Sequence, residues 1–183
     1  MASSLKNLSQ YSEQGVARQN EDDLLSIGIV VSEWNQEVTA SMAEAAIETL
    51  KKYGFQDEDI ILKSVPGSFE LPKAAKYFVE YANVDAIICL GCVIQGETRH
   101  FDFVCSGLTQ GIMQVNLDSN IPVAYGVLTT NNLQQALDRA GGKHGNKGVE
   151  ATVAALKMLQ MKLDFEAENS IKLEELEKLF FEE

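Results

Sequence analysis

The sequence has 183 residues, of which 45% are hydrophobic. This length suits one domain with a full hydrophobic core, so a second domain is not expected. Most of the formal net charge of −12 comes from the chain ends, because residues 166–183 carry seven Glu and two Lys, and residues 1–23 carry four acids and two bases. An acidic chain without a basic stripe is repelled by nucleic acid and anionic membranes, so neither is an expected partner.

Export, membrane insertion and metal binding are also disfavoured by the sequence. The start, M-A-S-S-L-K-N-L-S-Q-Y, lacks the apolar stretch of a secretory signal, and the apolar run 86–94 is too short to span a bilayer. We therefore expect a soluble cytoplasmic protein. Cys89 and Cys92 form a C-x-x-C pair, but positions three apart in a strand face opposite ways. No metal and no cofactor is predicted.

The first half of the chain alternates predicted strands and helices. A short β-branched run at 26–31 predicts a strand, and apolar residues at helical spacing follow until Gly54 ends the helix. Residues 60–65 predict a second strand and 73–81 a second helix. The run 85–91 is apolar on both faces, which is typical of a central parallel strand.

The second half continues the alternation. Helical spacing from Phe101 to Val115 precedes a predicted strand at 122–128, and residues 129–140 and 149–163 predict two closing helices. The pattern predicts an α/β fold, a three-layer sandwich on a central four-stranded parallel sheet in a flavodoxin-like arrangement.

Three parts of the chain are predicted to differ in organisation. Residues 1–24 are polar and predict an extended N-terminal arm, and residues 25–165 form the domain. Residues 166–183 predict an acidic tail with a small docked or fraying helix, because Leu173, Leu176 and Leu179 recur at helical spacing among glutamates.

The segment 91–103, G-C-V-I-Q-G-E-T-R-H-F-D-F, indicates an active-site loop at the carboxyl end of the central strand. Its glycines have phosphate-loop spacing, but Glu97 and Thr98 occupy the positions where that motif needs Lys and Ser or Thr, which disfavours a nucleoside triphosphatase. A phosphate monoester remains a candidate ligand, since Thr98 can donate a hydrogen bond at a helix N-terminus.

Histidine and cysteine side chains leave several roles open. His100 either tethers the loop or moves protons near neutral pH, whereas His144 is expected to be a solvent-facing loop residue. Cys92 with His100 suggests a cysteine hydrolase, but burial in an apolar run raises the pKa of a thiol and disfavours that hypothesis.

Two other loops are expected at the same edge of the sheet. Trp34 and Asn35 follow the first strand, where the indole either stacks on a planar heterocycle or forms a hydrophobic lid. The turn 67–70 follows the second strand, and Glu70 either binds ligand hydroxyls or caps its own helix.

These segments together resemble the lumazine synthase family, and the resemblance covers residues 25–163. It rests on five blocks in order: V-V-S-E-W-N (30–35), V-P-G-S-F-E-L-P (65–72), G-C-V-I-Q-G-E-T-R-H-F-D-F-V (91–104), P-V-A-Y-G-V-L-T-T-N-N (122–132) and R-A-G-G-K-H-G-N-K-G (139–148).

The resemblance implies a role for each candidate residue. Trp34 stacks on the pyrimidinedione beside Asn35, His100 shuttles protons, and Arg139 grips the phosphate of 3,4-dihydroxy-2-butanone 4-phosphate. Residues implied to bind the remainder of the substrates are Ser68, Phe69 and Glu70 at the ribityl chain, Cys92, Val93 and Ile94 at the ring, Glu97 and Thr98 at the phosphate, and Tyr125 and Lys147 completing the pocket.

The resemblance also implies an activity and an assembly. The reaction is a cofactor-free condensation of 5-amino-6-ribitylaminouracil with the butanone phosphate to 6,7-dimethyl-8-ribityllumazine, which releases phosphate and water in the penultimate step of riboflavin biosynthesis. Active sites shared between the subunits of a pentamer are implied, with riboflavin synthase as a further partner. The uninterrupted connection 139–148 permits a sixty-subunit shell.

Departures from the family pattern leave a second class of protein open. Gln95 replaces a more usual basic residue, Tyr125 stands where Phe is frequent, and Glu97 puts a carboxylate at a phosphate site unless it turns toward Arg99. The alternative is a non-catalytic flavin- or lumazine-binding module, or a shell-forming protein, that kept the pocket without the reaction.

Overall fold

A computed structural model describes Val16 and residues 24–181, with side chains up to residue 173. The strands are β1 (Ile27–Ser32), β2 (Ile60–Val65), β3 (Ala86–Ile94), β4 (Val123–Thr130), β5 (Ala140–Gly142) and β6 (Gly145–Asn146). The α-helices are α1 (Gln36–Lys52), α2 (Leu71–Tyr81), α3 (His100–Leu117), α4 (Leu133–Asp138) and α5 (Lys147–Phe181).

Four parallel strands form the main sheet in the order β2-β1-β3-β4. The register pairs Ile27 of β1 with Ile60 of β2 and Ala86 of β3, so all three strands end near one edge. Strand β3 is buried over its first seven residues, as its continuous apolar sequence requires of a strand covered on both faces. The carboxyl ends of these strands form the edge at which parallel sheets bind ligands.

Helices cover both faces of the sheet and give two hydrophobic clusters. One cluster joins β1 and β3 to α1 and α5 through side chains such as Met42, Leu50 and Leu159. The other joins the sheet to α2 and α3 through Leu71, Phe78 and Leu108. The predicted α/β three-layer fold with a flavodoxin-like arrangement is confirmed.

The end of α1 shows how local sequence sets an element boundary. Gly54 has a φ of 102°, and the Phe55 N–H donates to the Leu50 carbonyl at 3.2 Å. This is the arrangement by which a glycine in the left-handed region closes a helix. The prediction that Gly54 ends the first helix is confirmed.

Several predicted boundaries after residue 128 are wrong. The segment 129–140 does not form one helix, because β4 continues through Thr130 and α4 covers only Leu133–Asp138. The glycine-rich connection contains the antiparallel pair β5–β6. The expected small tail helix is the continuation of α5, which runs unbroken from Lys147 to Phe181.

The predicted N-terminal arm lies outside the described residues, apart from Val16 and Leu24. Val16 packs against the cluster formed by α1 and α5. Within the described part of the chain, no helix combines the length and apolar character needed to cross a membrane.

Candidate active site

A cavity of about 720 Å³ opens at the carboxyl edge of the sheet, where β1, β2 and β3 end and α3 begins. It is lined by Trp34, Asn35, Ser68, Phe69, Glu70, Cys92, Val93, Ile94, His100, Phe103, Val104 and Gly107. Nine of the predicted site residues therefore line one cavity that a single chain forms. Phe103, Val104 and Gly107 were not predicted.

Three exposed aromatic side chains line this cavity. Trp34, Phe69 and Phe103 are 67%, 58% and 69% exposed. A Cβ on Gly67 would lie 2.7 Å from the Trp34 ring, so the indole lies directly over the Gly67 backbone. Flat, open aromatic faces of this kind suit a planar heterocycle better than an aliphatic ligand.

The Cys92 carbonyl is the point at which the loops meet. It accepts a hydrogen bond from Asn35 Nδ2 at 3.0 Å and one from Ser68 Oγ at 3.4 Å. Asn35 has a left-handed backbone, with φ at 60°, which Asn tolerates better than most residues. Buried Ser32, which the sequence did not single out, lies 3.4 Å from the Ser68 hydroxyl.

Glu70 combines the two roles that the sequence left open. One carboxylate oxygen accepts a hydrogen bond from the Gly67 N–H at 3.1 Å, and the same side chain lines the cavity. Its carboxylate therefore holds the turn beneath Trp34 and leaves a second oxygen as an acceptor for ligand hydroxyls.

The loop 95–99 joins the cavity to α3 and is exposed. His100 is the first residue of α3 and lines the cavity, whereas Glu97 and Thr98 lie outside its lining. Thr98 Oγ1 accepts a hydrogen bond from the His100 N–H at 3.4 Å, which leaves the hydroxyl hydrogen free to donate. Arg99 Nε lies 3.5 Å from Asp102 Oδ2, so this guanidinium has a carboxylate partner on α3.

The cysteine thiols do not provide a nucleophile. Burial raises the pKa of Cys92 to about 11 and that of Cys89 to about 12. The thiolate, which is the reactive form, is therefore a minor species at neutral pH. Cys89 and Cys92 belong to the clusters on opposite faces of the sheet, as their spacing predicted.

Arg139 and Lys147 form a second charged group on the α1–α5 side of the sheet, outside the cavity lining. The Lys147 N–H donates to the Arg139 carbonyl at 2.8 Å, which holds the two cations together. Arg139 Nη2 donates to Glu150 Oε2 at 2.7 Å, and Lys147 Nζ lies 3.4 Å from the same oxygen. Sequence reasoning missed Glu150, although its three-residue spacing from Lys147 at a helix start was a usable signal.

The hairpin β5–β6 positions this group. Ser41 Oγ of α1 donates to the Ala140 carbonyl at 2.6 Å, and Asn146 Nδ2 donates to the Ser41 carbonyl at 3.3 Å. His144, expected to face solvent, is half-buried in the hairpin turn, and its carbonyl accepts a hydrogen bond from Arg139.

Tyr125 also lies apart from the cavity lining. It is part of β4, level with Cys89 in the register, and its hydroxyl lies 3.1 Å from Thr109 Oγ1 of α3. Burial raises the pKa of Tyr125, so the phenol is protonated at neutral pH. In one chain, therefore, some of the predicted site residues line the cavity, whereas Tyr125, Arg139 and Lys147 lie outside its lining.

No cluster of three or more His, Cys, Asp or Glu side chains suited to a metal ion occurs among the described residues. The cavity lining offers aromatic rings, the Ser68 hydroxyl, the Glu70 carboxylate and the His100 imidazole. Arg139 and Lys147 supply cations suited to an anion such as phosphate.

Comparison with known proteins places this geometry in a family. The family model for 6,7-dimethyl-8-ribityllumazine synthase matches residues 24–162. A protein of that name from Cytophaga hutchinsonii is 55% identical over 87% of this chain and 98% of its own length. Relatives of the same name from Phocaeicola vulgatus and Parabacteroides distasonis are 49% and 51% identical, over 88% and 87% of this chain and 95% and 98% of their own lengths. The chain therefore belongs to the 6,7-dimethyl-8-ribityllumazine synthase family.

Proposed function

We propose that this protein is a transferase that condenses 5-amino-6-ribitylaminouracil with 3,4-dihydroxy-2-butanone 4-phosphate to 6,7-dimethyl-8-ribityllumazine. The observation that carries the proposal is the aromatic cavity with His100 at its rim, in a chain about half identical to several proteins named as this synthase. The three relatives above bear the name of the enzyme, so the comparisons give no support to a binding module without activity.

The active site is shared between two copies of the chain. Trp34, Asn35, the turn 68–70, residues 92–94 and His100 hold the pyrimidine substrate in one copy. Tyr125, Arg139 and Lys147 come from its neighbour, which explains why they lie outside the cavity lining of their own chain. A closed ring places the same two surfaces in contact at every interface, and a pentamer is the assembly we propose.

Binding orients the heterocycle before the reaction. Trp34 stacks on the pyrimidinedione, Phe69 and Phe103 cover its other edges, and Ser68 and Glu70 bind ribityl hydroxyls. The backbone of residues 92–94 meets the ring, and Asn35 fixes that backbone through the Cys92 carbonyl. Holding an amine against a ketone in this way replaces an encounter in solution by an effective molarity of roughly 10⁵ M or more.

The chemical steps need a proton shuttle and an anion site. The 5-amino group attacks the ketone carbon, and loss of water gives an imine. Loss of the proton on the adjacent hydroxyl-bearing carbon then expels phosphate through cleavage of its C–O bond and leaves an enol. The enol tautomerises to a ketone, and the ribitylamino nitrogen attacks this ketone to close the second ring with loss of another water. His100 transfers protons in these steps, while Arg139 and Lys147, with Glu97 and the Thr98 hydroxyl near the phosphate, bind the leaving group.

Arg139 can serve phosphate without giving up its structural contacts. A guanidinium has five N–H groups. Hydrogen bonds to the His144 carbonyl and to Glu150 Oε2 use two of them, and Nη1 also lies 2.7 Å from Glu150 Oε1. The remaining N–H groups are available to phosphate oxygens. Glu150 thus orients the guanidinium while Lys147 adds positive charge beside it.

The test is a direct assay with both substrates, following lumazine fluorescence and phosphate release against the uncatalysed background. Lumazine and phosphate formed in equal amounts above background support the proposal. Binding of the pyrimidine substrate with no rate above background contradicts it and favours the binding-module alternative. Heat-denatured protein is the control for non-specific catalysis.

Three finer statements belong to the same proposal. The enzyme acts in the cytoplasm without a cofactor, and riboflavin synthase uses its product. The hairpin 140–146 is a short antiparallel pair, which is compatible with assembly of pentamers into a sixty-subunit shell. Light scattering of the purified protein separates a pentamer from a shell by mass.

A further inference from the structure

Tyr125 has a specific partner that the proposed reaction does not use. Strand β4 is an edge strand of the main sheet, and the half-buried Tyr125 extends from it toward α3. Its hydroxyl and Thr109 Oγ1 are 3.1 Å apart, and either group can donate. A phenol on an edge strand rotates about two side-chain bonds, and this contact fixes one orientation.

Helix α3 presents Thr109 away from the cavity of its own chain. Gly107 lines that cavity, and a Cβ on Gly107 would lie 3.0 Å from the Phe69 ring. Thr109 follows two positions later, and successive residues in a helix are about 100° apart, so the two positions point in nearly opposite directions. Thr109 and Tyr125 therefore belong to a different surface from the one that contains His100 and Phe103.

That surface also carries apolar side chains. Met113, one turn after Thr109 on α3, is 52% exposed, and Leu117 is 75% exposed. Residues four apart on a helix lie on one face, so Thr109, Met113 and Leu117 form a stripe. An exposed apolar stripe next to a hydrogen-bonded phenol is suited to contact with a second copy of the chain.

We propose that Thr109 is a positioning residue, which holds the Tyr125 ring in the orientation that closes the pyrimidine pocket of the neighbouring copy. The inference rests on the proposed function, since that function assigns Tyr125 to the shared site. Without the threonine hydroxyl the phenol turns away from the neighbouring pocket or binds water, and the pocket loses part of its wall. The competing explanation is that the exposed Thr109 only satisfies the Tyr125 hydroxyl, which affects stability alone.

A double-mutant cycle with Thr109→Val, Tyr125→Phe and the double variant tests the inference. Valine keeps the shape of threonine without the hydroxyl, and phenylalanine removes the group on which Thr109 acts. Thr109→Ser is the conservative variant, because it keeps the hydroxyl. For each protein, KM for the pyrimidine substrate, kcat and the temperature of unfolding are measured on the assembled enzyme.

We expect Thr109→Val to raise KM for the pyrimidine substrate about three- to tenfold, as loss of one hydrogen bond implies, with kcat nearly unchanged. Thr109→Ser restores the KM, and Thr109→Val has no further effect on the Tyr125→Phe background. An unchanged KM with a lowered unfolding temperature, or an equal change on both backgrounds, contradicts the inference. A wild-type enzyme without turnover contradicts the proposed function, and this inference with it, whereas normal turnover without coupling contradicts this inference alone.

Discussion

A single buried carboxylate organises both cations of the proposed phosphate site. The Glu150 side chain is 10% exposed, and Arg139 Nη1 and Lys147 Nζ lie 2.7 and 3.4 Å from its oxygens. Two cations held this close repel each other unless a negative charge lies between them. Glu150 therefore keeps the two cations together, as the proposed phosphate site requires.

Replacing Glu150 by Gln should weaken both folding and phosphate binding. The amide keeps the size of the side chain but removes its charge, so Arg139 and Lys147 repel each other. We expect a loss of about 2 kcal/mol in the free energy of unfolding, as for other hydrogen bonds to charged groups, and a higher KM for the butanone phosphate. Chemical denaturation and steady-state kinetics measure the two effects.

The matched control is Glu166→Gln. Glu166 pairs with Lys162 at 3.7 Å, but its side chain is 58% exposed, and exposed ion pairs contribute little to stability. Equal losses of stability in the two variants would show that the Glu150 charge stabilises the fold no more than an exposed ion pair does.

Arg139→Ala should reduce kcat/KM more than His100→Ala does. The reaction joins an intrinsically reactive amine and ketone, so positioning contributes more than proton transfer. We expect a loss of roughly a hundredfold or more for Arg139→Ala, which removes the proposed guanidinium contacts to phosphate. For His100→Ala we expect about tenfold, below the usual range for a general acid or base, because positioning contributes most. Steady-state kinetics with both substrates varied give the two values.

Lys51→Ala is the control for these kinetics, because Lys51 pairs with Asp57 on the surface at 2.7 Å, in a different part of the molecule. A larger loss for His100→Ala than for Arg139→Ala would mean that proton transfer limits the rate, and the positioning argument would then be wrong.

Cys92 should resist alkylation in the folded protein. Its pKa is raised from 9.0 to about 11 by burial, so at pH 8 its thiolate fraction is about a hundredfold below that of a free thiol. We expect iodoacetamide to modify Cys92 at least a hundredfold more slowly in the native protein than in urea. Mass spectrometry of the peptide that contains Cys92 measures the rates.

The same shift fixes the sign of a pH effect on stability. The pKa of Cys92 is higher in the folded than in the unfolded protein, so the protonated thiol favours folding. Its contribution to the free energy of unfolding is complete below pH 9 and is lost as the pH rises through about 11. Rapid alkylation at pH 8 with parallel loss of turnover would instead support the cysteine-nucleophile hypothesis.

At the scale of elements, the close packing of helix α5 on helix α1 depends on Gly148. Gly148, the second residue of α5, is buried, and a Cβ there would collide with the Met42 carbonyl of α1. Backbone atoms cannot move aside as a flexible side chain does, so even a methyl group separates α1 from α5.

Gly148→Ala should therefore destabilise the fold by about 3 kcal/mol, at the upper end for an overpacked core. The control is Gly96→Ala, where an added Cβ meets no atom within 4 Å. Thermal unfolding of both variants tests the argument, and an unfolding temperature for Gly148→Ala equal to that of Gly96→Ala would contradict it.

The sequence predicted the elements best where the hydrophobic period was long. Strand β3 and helix α1 were located to within a few residues, because burial on both faces or on one stripe leaves a clear pattern. The short helix α4 was misplaced, since β-branched Thr129 and Thr130 extend β4. The Asn132 side chain accepts a hydrogen bond from the Gln135 N–H at 2.9 Å, and this helix-start signal was available in the sequence.

Residues that line the cavity were predictable where they follow strand ends. Trp34, Glu70 and His100 lie in the segments that follow β1, β2 and β3, and parallel strands bring these segments to one edge. The contacts of Ser32 with Ser68 and of Thr109 with Tyr125 were not predicted, because they join residues 36 and 16 positions apart. Contacts over such separations depend on packing between elements and leave no local pattern in the sequence.

For the whole molecule, the decisive property is that one chain carries the two parts of the proposed site on different surfaces. The cavity opens at the ends of β1, β2 and β3. Arg139 instead comes directly after α4, and Lys147 is the first residue of α5. If the proposed pentamer forms, every site combines the cavity of one copy with the cations of the next. Variants damaged in different parts should then complement each other.

Mixed assemblies of Arg139→Ala and His100→Ala chains provide that test. In a random equal mixture, about one site in four pairs an intact cavity with an intact Arg139 from the neighbouring copy. We expect co-expressed, co-purified assemblies to show about a quarter of wild-type kcat/KM. If each site were contained in one chain, every site would carry one of the two defects. The kcat/KM of the mixture would then be the mean of the two single-variant values, about 5% of wild type for the losses expected above. A rate at that mean, in assemblies that native mass spectrometry shows to be mixed, would contradict the shared site, whereas a rate well above both parents requires that residues of two copies act on one substrate pair.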